Sequence, residues 1–423
     1  MGMPETIVSW TVIGILLFLL YRSLFIPSLA YKIHEPVALT DPYSVEMIAN
    51  LTDAVNHTGN QFEVLTNGAN YYPAELDAIR KASGSVNIEA YIFSRGEIAR
   101  QFANLLSEKA KSGVKVNLLM DAVGSLGMAV QRDLLNQMRE AGCSVCFYHP
   151  FHVNNLERIN IRTHREIMVI DGQTAFVGGA GVADHWYRGA KGHRAWRDTM
   201  VRIEGPAVAA LQGTFVENWL ESCGEVLTGE NYFPRLTPEG NKSALVIDSS
   251  SRGRSTRARI LFQVLVASAE KNVYIATPYF LPDVALRQEL IRARHRGVVI
   301  KILTTGRKSD HTMTRSASRR LYGELLKEGI EIYEYKPSML HVKMLLVDDI
   351  WAVVGTTNFD HRSFSINDEV NVAVPYGSLN ERLERDFFDD LKNSNRVTYE
   401  VWERRSWLER VNEQFSRLAE RQQ

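Results

Sequence analysis

His341 and Lys343, in the segment HVKMLLVDD (341–349), stand two residues apart, so on an extended strand both side chains point to one face. Asp348 follows after an apolar stretch, and GTTNFDHRSFSINDE (355–369) then supplies Asn358 and Glu369. A histidine can act as nucleophile or proton carrier near neutral pH. A lysine and an amide can hold oxygens on which negative charge develops. A carboxylate can orient an imidazole and raise its basicity. Together these groups can attack a phosphodiester, with no metal or organic cofactor expected. A lone His-x-Lys says little, because surface histidines and lysines are common. The whole string of His, Lys, Asp, Gly, Asn and Glu within residues 341–369 says much more.

The segment THREIMVIDG (163–172) has the same layout. His164 precedes Asp171 by seven residues, as His341 precedes Asp348, and the following Gly178 and Gly355 repeat that interval. Asp198, in DTMVRI, stands opposite Glu369, in EVNVAV, and each is expected to orient one catalytic histidine. The expected catalytic set is therefore His164, His341, Lys343, Asn358, Asp171, Asp348, Asp198 and Glu369.

The first copy departs twice from the second: Glu166 stands where Lys343 stands, and Gly181 stands where Asn358 stands. An unpaired carboxylate about 4 Å from a phosphate repels it by roughly 4 kcal/mol at an effective dielectric near 20. Glu166 is then paired, protonated or turned away if the site works. One reading is an asymmetric site in which Lys343 and Asn358 bind phosphate and Arg162 replaces the missing lysine. Residues 162, 164 and 166 alternate onto one face, so Glu166 would pair with Arg162 or meet a polar headgroup. A second reading is a decayed first half. A third is altered chemistry, with Glu166 activating water.

The elements that carry these residues also repeat. The first half runs SVNIEAYIF (85–93), GVKVNLLMD (113–121), GCSVCFYH (142–149) and THREIMVID; the second runs KNVYIATPYF (271–280), GVVIKILTT (297–305), IEIYEY (330–335) and HVKMLLVD. These short β-branched runs are separated by stretches with apolar residues three and four apart, which predicts strands alternating with helices. The expected fold class is α/β: two duplicated lobes, each a mixed sheet flanked by helices, after an N-terminal transmembrane helix. The expected boundaries are an anchor over 1–28, a connector over 29–60, lobes over 61–225 and 246–395, a linker over 226–245, and an amphipathic C-terminal helix over 396–423.

The 49 basic side chains equal the 49 acidic ones, which speaks against a general nucleic-acid binder. Cys143, Cys146 and Cys223 are too few for a disulfide framework, and core packing is the expected role of CSVCF. Ile7 to Ile26 carries one charged side chain, Arg22, and is long enough to span a bilayer; Ser28-Leu29-Ala30 resembles a cleavage site, but a retained anchor is the expectation. Arg22 and Lys32 follow the span, which places the body on the cytoplasmic side. Leu408, Val411, Phe415 and Leu418 give the tail its apolar stripe, expected to pack on its own lobe.

HxKxxxxD followed by G-[ST]-x-N-x-D-x-R-S resembles the phospholipase D superfamily over nearly all of residues 60–395. TPYFLPD (277–283), WRDTMVRIEGPAV (196–208) and NFDHRSFSINDEVN (358–371) look most like bacterial cardiolipin synthases. The resemblance implies a two-lobed fold whose histidine motifs meet at one central site. It implies a phosphohistidine intermediate, with the other histidine protonating the leaving alcohol. Donor and acceptor would both be phosphatidylglycerol in an inner membrane, giving cardiolipin and glycerol. A lipid hydrolase forming phosphatidic acid and a nuclease of the same superfamily are the alternatives; the sequence leaves the oligomeric state and the nucleophile open.

Overall fold

Continuous apolar runs such as IMVI (167–170) and MLLV (344–347) lack the polar alternation of a half-exposed strand, and such runs belong to strands covered on both faces. The computed structural model shows this arrangement and describes residues 10, 14, 32–130, 132–150, 158, 160–189, 194–250, 257–377 and 379–416. Its first half contains β1 (Asn56–Thr66), β2 (Ser85–Ala90), β3 (Lys115–Asp121), β4 (Ser144–Tyr148), β5 (Ile167–Ile170), β6 (Thr174–Gly178) and β7 (Thr199–Glu204). Its second half contains β8 (Lys242–Ser249), β9 (Asn272–Thr277), the short β10 (Phe280–Leu281), β11 (Val299–Thr305), β12 (Glu331–Tyr335), β13 (Met344–Val347), β14 (Trp351–Gly355), the short β15 (Phe359–Asp360), β16 (Glu369–Val374) and β17 (Ser394–Val397).

Among the described residues, fifteen strands form one mixed sheet. From its centre the order runs β1-β7-β6-β5-β2-β3-β4 one way and β8-β16-β14-β13-β9-β11-β12-β17 the other. The halves thus repeat one topology, joined where β1 pairs antiparallel with β8. Within the first half β2, β3 and β4 are parallel, while β5, β6 and β7 are antiparallel to their neighbours. The expected lobes are therefore one continuous sheet. β1 starts before the expected lobe boundary at 61, and the expected linker ends inside β8.

Side-chain alternation explains the two-sided burial. Met168 and Ile170 of β5 enter the core of the first lobe, whereas Ile167 and Val169 enter a core shared with the second. On β13, Leu345 and Val347 enter the second lobe's core, and Met344 and Leu346 the shared one. This shared core fixes the two motif strands against each other. The motif histidines precede these strands and so are held at one rim of the shared core.

Three other expectations meet the structure here. The span Ile7–Ile26 lies outside the described residues apart from positions 10 and 14; among the described residues no helix is long and apolar enough to cross a membrane. Cys146 on β4 is not merely packed: it is bonded to Cys223, at the end of the helix Ala207–Cys223, and Cys143 is the buried free thiol. The pairing was hidden because the partners are 77 residues apart. By loop-closure entropy, a cross-link over that distance stabilises by about 4 kcal/mol. Cys223→Ser is therefore expected to lower the melting temperature by several degrees, and reductant to do the same to the parent but not to the variant. The tail is not one helix but two, Tyr399–Glu403 and Trp407–Ser416. Trp402 packs beside Gly323 and donates its indole N–H to the Arg319 carbonyl at 2.7 Å, whereas Leu408 and Val411 of the expected stripe are exposed. Leu418 lies outside the described residues.

Candidate active site

The chain leading into each motif strand is stapled to the opposite lobe. The His164 N–H donates to the Asp368 carbonyl at 2.8 Å, and the His341 N–H to the Arg197 carbonyl at 2.7 Å. Short parallel bridges, Thr163 with Asp368 and Arg197 with Leu340, flank these contacts. Each histidine consequently faces the carboxylate of the other lobe. His164 Nδ1 lies 3.1 Å from both Glu369 oxygens, and His341 Nδ1 lies 2.9 Å from Asp198 Oδ2. Both carboxylates are fully buried, and each has a second partner: the Thr356 hydroxyl donates to Glu369, and the Trp186 indole donates to Asp198 at 3.1 Å. Gly179 permits this approach, since a Cβ there would stand 2.6 Å from Asp198 Oδ1 and 2.8 Å from the His341 carbonyl.

Both imidazoles open on one cavity of about 500 Å³, whose wall also includes Arg162, Glu166, Asn358, Trp186, Trp196 and Tyr279. The site is electrostatically asymmetric. Burial, and then the Lys343 ammonium, hold the His341 pKa well below the usual histidine range, so its imidazole is neutral. Burial pushes Asp198 up to about 6, against the pull of Lys343. Burial also lowers Lys343 to about 8, partly offset by the Asp198 and Glu369 carboxylates. Asn358 Oδ1 is buried with no partner among the described residues, and an unmet acceptor costs about 1–3 kcal/mol until a donor such as a substrate hydroxyl reaches it. Among the described residues no three His, Cys, Asp or Glu side chains come together as a metal site.

Not every expected residue falls in this place. Asp171 and Asp348, expected among the catalytic groups, are turn-formers. Asp171, at φ 53°, accepts backbone N–H groups from Ser83, Gly84 and Ser85 at 2.7–2.9 Å; Asp348, at φ 56°, does the same for Glu270, Lys271 and Asn272. Neither aspartate lines the cavity, because each follows the far end of β5 or β13 while the histidines precede the near end. The expected effect of Asp171→Ala is thus a loss of about 2–3 kcal/mol of stability, read by thermal melting, with unchanged turnover per folded molecule.

Lys343 does not itself line the cavity: its Nζ rests 2.7 Å from His341 Nδ1 and 3.0 Å from Nε2. Arg162 lines the cavity but does not pair with Glu166; it reaches Asp121 Oδ1 at 3.5 Å, and its buried Nε has no partner among the described residues. Arg162, His164 and Glu166 share the cavity wall as alternation implied, although β5 begins only at Ile167. Arg197 is buried on Asp390 at 2.8 Å. Sequence reasoning missed Tyr91, Trp186 and Asp310; the first follows β2, the register of which gives no hint that it closes on the motif of another strand. His185 is sandwiched between Trp186 and Trp196.

With this geometry in place, comparisons with known proteins decide the lineage. Residues 76–219 and 263–391 match the family described as cardiolipin synthase, PLD-like domain. The chain belongs to the cardiolipin synthase group of the phospholipase D superfamily. It is an enzyme, a phosphatidyltransferase of that superfamily. The probable cardiolipin synthase YwiE of Bacillus subtilis is 34% identical over 363 residues, covering 86% of this chain and 72% of that protein. Cardiolipin synthase 1 of Bacillus anthracis is 36% identical over 368 residues, covering 84% and 71%. Among solved structures, phosphatidylserine synthase from Haemophilus influenzae Rd KW20 superposes with a TM-score of 0.67 at 13% identity, covering 89% of this chain and 99% of that one, which is a likeness of fold.

Proposed function

We propose that this phosphatidyltransferase moves a phosphatidyl group from one phosphatidylglycerol to the hydroxyl of another, yielding cardiolipin and glycerol. The observation that carries the reading is the pair of histidines opposed across one cavity, each held by a buried carboxylate. The neutral His341 attacks phosphorus through Nε2, and the bond to the glycerol oxygen breaks. His164 gives that oxygen its proton, so glycerol leaves and a phosphohistidine remains. The hydroxyl of the second phosphatidylglycerol then loses its proton to His164 and attacks phosphorus, releasing His341. Asn358 holds the oxygens on which charge develops, and Lys343, 3.0 Å from Nε2, can pass to a phosphoryl oxygen arriving there. Glu369 and Asp198 orient the two rings.

The test is mass spectrometry of lipids after incubating the purified chain with phosphatidylglycerol vesicles and chelator. Cardiolipin plus glycerol is the expected product pair; phosphatidic acid alone would make the chain a hydrolase.

A single-pass inner-membrane anchor over residues 7–26, with the lobes on the cytoplasmic side, is part of this proposal. The opposite side has one observation in its favour, the Cys146–Cys223 bond, because disulfides persist chiefly in oxidising compartments. Protease protection of the lobes in sealed, oriented membrane vesicles distinguishes the two.

A further inference from the structure

Glu166 and Gly181, the two departures of the first motif, touch each other. Glu166 is 6% exposed and lines the catalytic cavity. Its Oε1 accepts the backbone N–H of Tyr91 at 3.1 Å and of Ile92 at 3.3 Å. A Cβ at position 181 would stand 2.8 Å from that same oxygen and 2.3 Å from the Ile92 carbonyl. The Ile92 carbonyl cannot simply retreat, because it accepts the Val182 N–H at 2.8 Å. Only glycine at 181 therefore leaves room for the carboxyl. The counterpart of Gly181 in the second lobe, Asn358, instead sends an amide to the cavity. One side chain in the first lobe thus takes the space that an asparagine at 181 would need.

The orientation fixes which oxygen is free. Oε1 is occupied as an acceptor, while Oε2 has no protein hydrogen bond among the described residues and belongs to a cavity-lining side chain. Lys343 and Asp198 are the charged groups that act on it, with Tyr91 and Tyr72 the nearby phenols. Burial outweighs the backbone donors and Lys343 and raises the carboxyl well above the usual range, which favours its protonated form. A neutral acid escapes the phosphate repulsion that a carboxylate would suffer, and its O–H is a hydrogen-bond donor.

We propose that Glu166 works as a neutral carboxylic acid whose Oε2–H donates to a phosphoryl oxygen, the first lobe's substitute for the missing lysine and asparagine. This rests on the phosphodiester chemistry proposed above, but not on which alcohol accepts the group.

Glu166→Gln keeps the acceptor for the two backbone N–H groups and supplies a donor that does not titrate. It is expected to retain turnover within about threefold, whereas Glu166→Ala loses about 10²-fold, the order for one donor to a developing oxyanion. The ratio of Glu166→Gln to parent activity should rise with pH, as the parent loses its proton and the amide does not. An acid-dependent carboxylate role would instead make Glu166→Gln as poor as Glu166→Ala, and a bystander would leave both variants at parent activity; either result overturns the proposal. A second readout needs no turnover. The infrared spectrum of the full chain at neutral pH should contain a protonated-carboxyl band that Glu166→Gln lacks and that shifts on adding inorganic phosphate. An absent or unmoved band also overturns it. Failure of the lipid reading shows separately, in the products formed by the parent.

Discussion

His341→Ala is expected to lower turnover by 10⁴-fold or more and to abolish any phosphate-labelled enzyme, the scale on which loss of a catalytic nucleophile acts. His164→Ala should lower turnover by a smaller factor, about 10²–10⁴-fold, the range for a general acid–base. In that variant a labelled enzyme should still form, slowly, and persist, because the acceptor alcohol has lost its base. The asymmetry follows from environment. A nucleophilic imidazole must be neutral, and burial beside Lys343 keeps His341 neutral. The leaving alcohol must be given a proton, and His164 is the more open ring, with 15% of its side chain exposed beside Tyr91. The measurement is labelling from phosphatidylglycerol carrying radioactive phosphorus, quenched in detergent at alkaline pH because a phosphorus–nitrogen bond is lost in acid, followed by gel separation. Label retained on His341→Ala and absent from His164→Ala would reverse the roles.

Much of this site was legible because the repeat was legible. Matching intervals after His164 and His341 identify equivalent strands, and the apolar runs behind them announce strands buried on both faces. Asp198 and Glu369 could be aligned from the same repeat. What the intervals could not show is which end of a strand a residue occupies in space. Asp171 and Asp348 are regular in spacing because every β5-like strand needs a turn to be closed, not because the chemistry needs them. Nor could a linear reading find the crossing of partners. Pairing of Thr163 with Asp368, and of Arg197 with Leu340, arises only when the two half-sheets meet. The Cys146–Cys223 bond escaped for the same reason. Glu166 was visible as an anomaly, yet its meaning needed the backbone of Tyr91 and Ile92, which come from β2's end. Of the two contacts expected for Glu166, pairing with Arg162 does not form, because Arg162 turns to Asp121 at the end of β3.

The crossed carboxylates lead to the second large effect. Asp198→Asn, in the first lobe, is expected to slow formation of the labelled enzyme by about 10²–10⁴-fold, the cost of disturbing the carboxylate that fixes a catalytic histidine's tautomer. The partner in the second lobe, Glu369→Gln, should leave that step nearer to normal and slow its discharge to acceptor lipid, because Glu369 holds His164. The pH profile separates orientation from a merely structural role. Asp198 is pushed up to about 6, so its carboxylate form prevails above that pH and is lost as pH falls through it. Formation of the labelled enzyme in the parent should therefore drop on the acid side of about pH 6. Asparagine cannot titrate, so the variant should lack that acid limb while remaining slow throughout. Rapid-quench kinetics across pH 5–8 reads both properties, since the titrations of interest fall within that window. Should Asp198→Asn impair discharge rather than formation, the carboxylate serves the histidine of its own lobe, and the crossing seen in the folded chain is not the arrangement that turns over. Melting curves should show both variants folded, since an uncharged amide in a fully buried position keeps one acceptor for the groups that donate to it and sheds the desolvation cost of a charge.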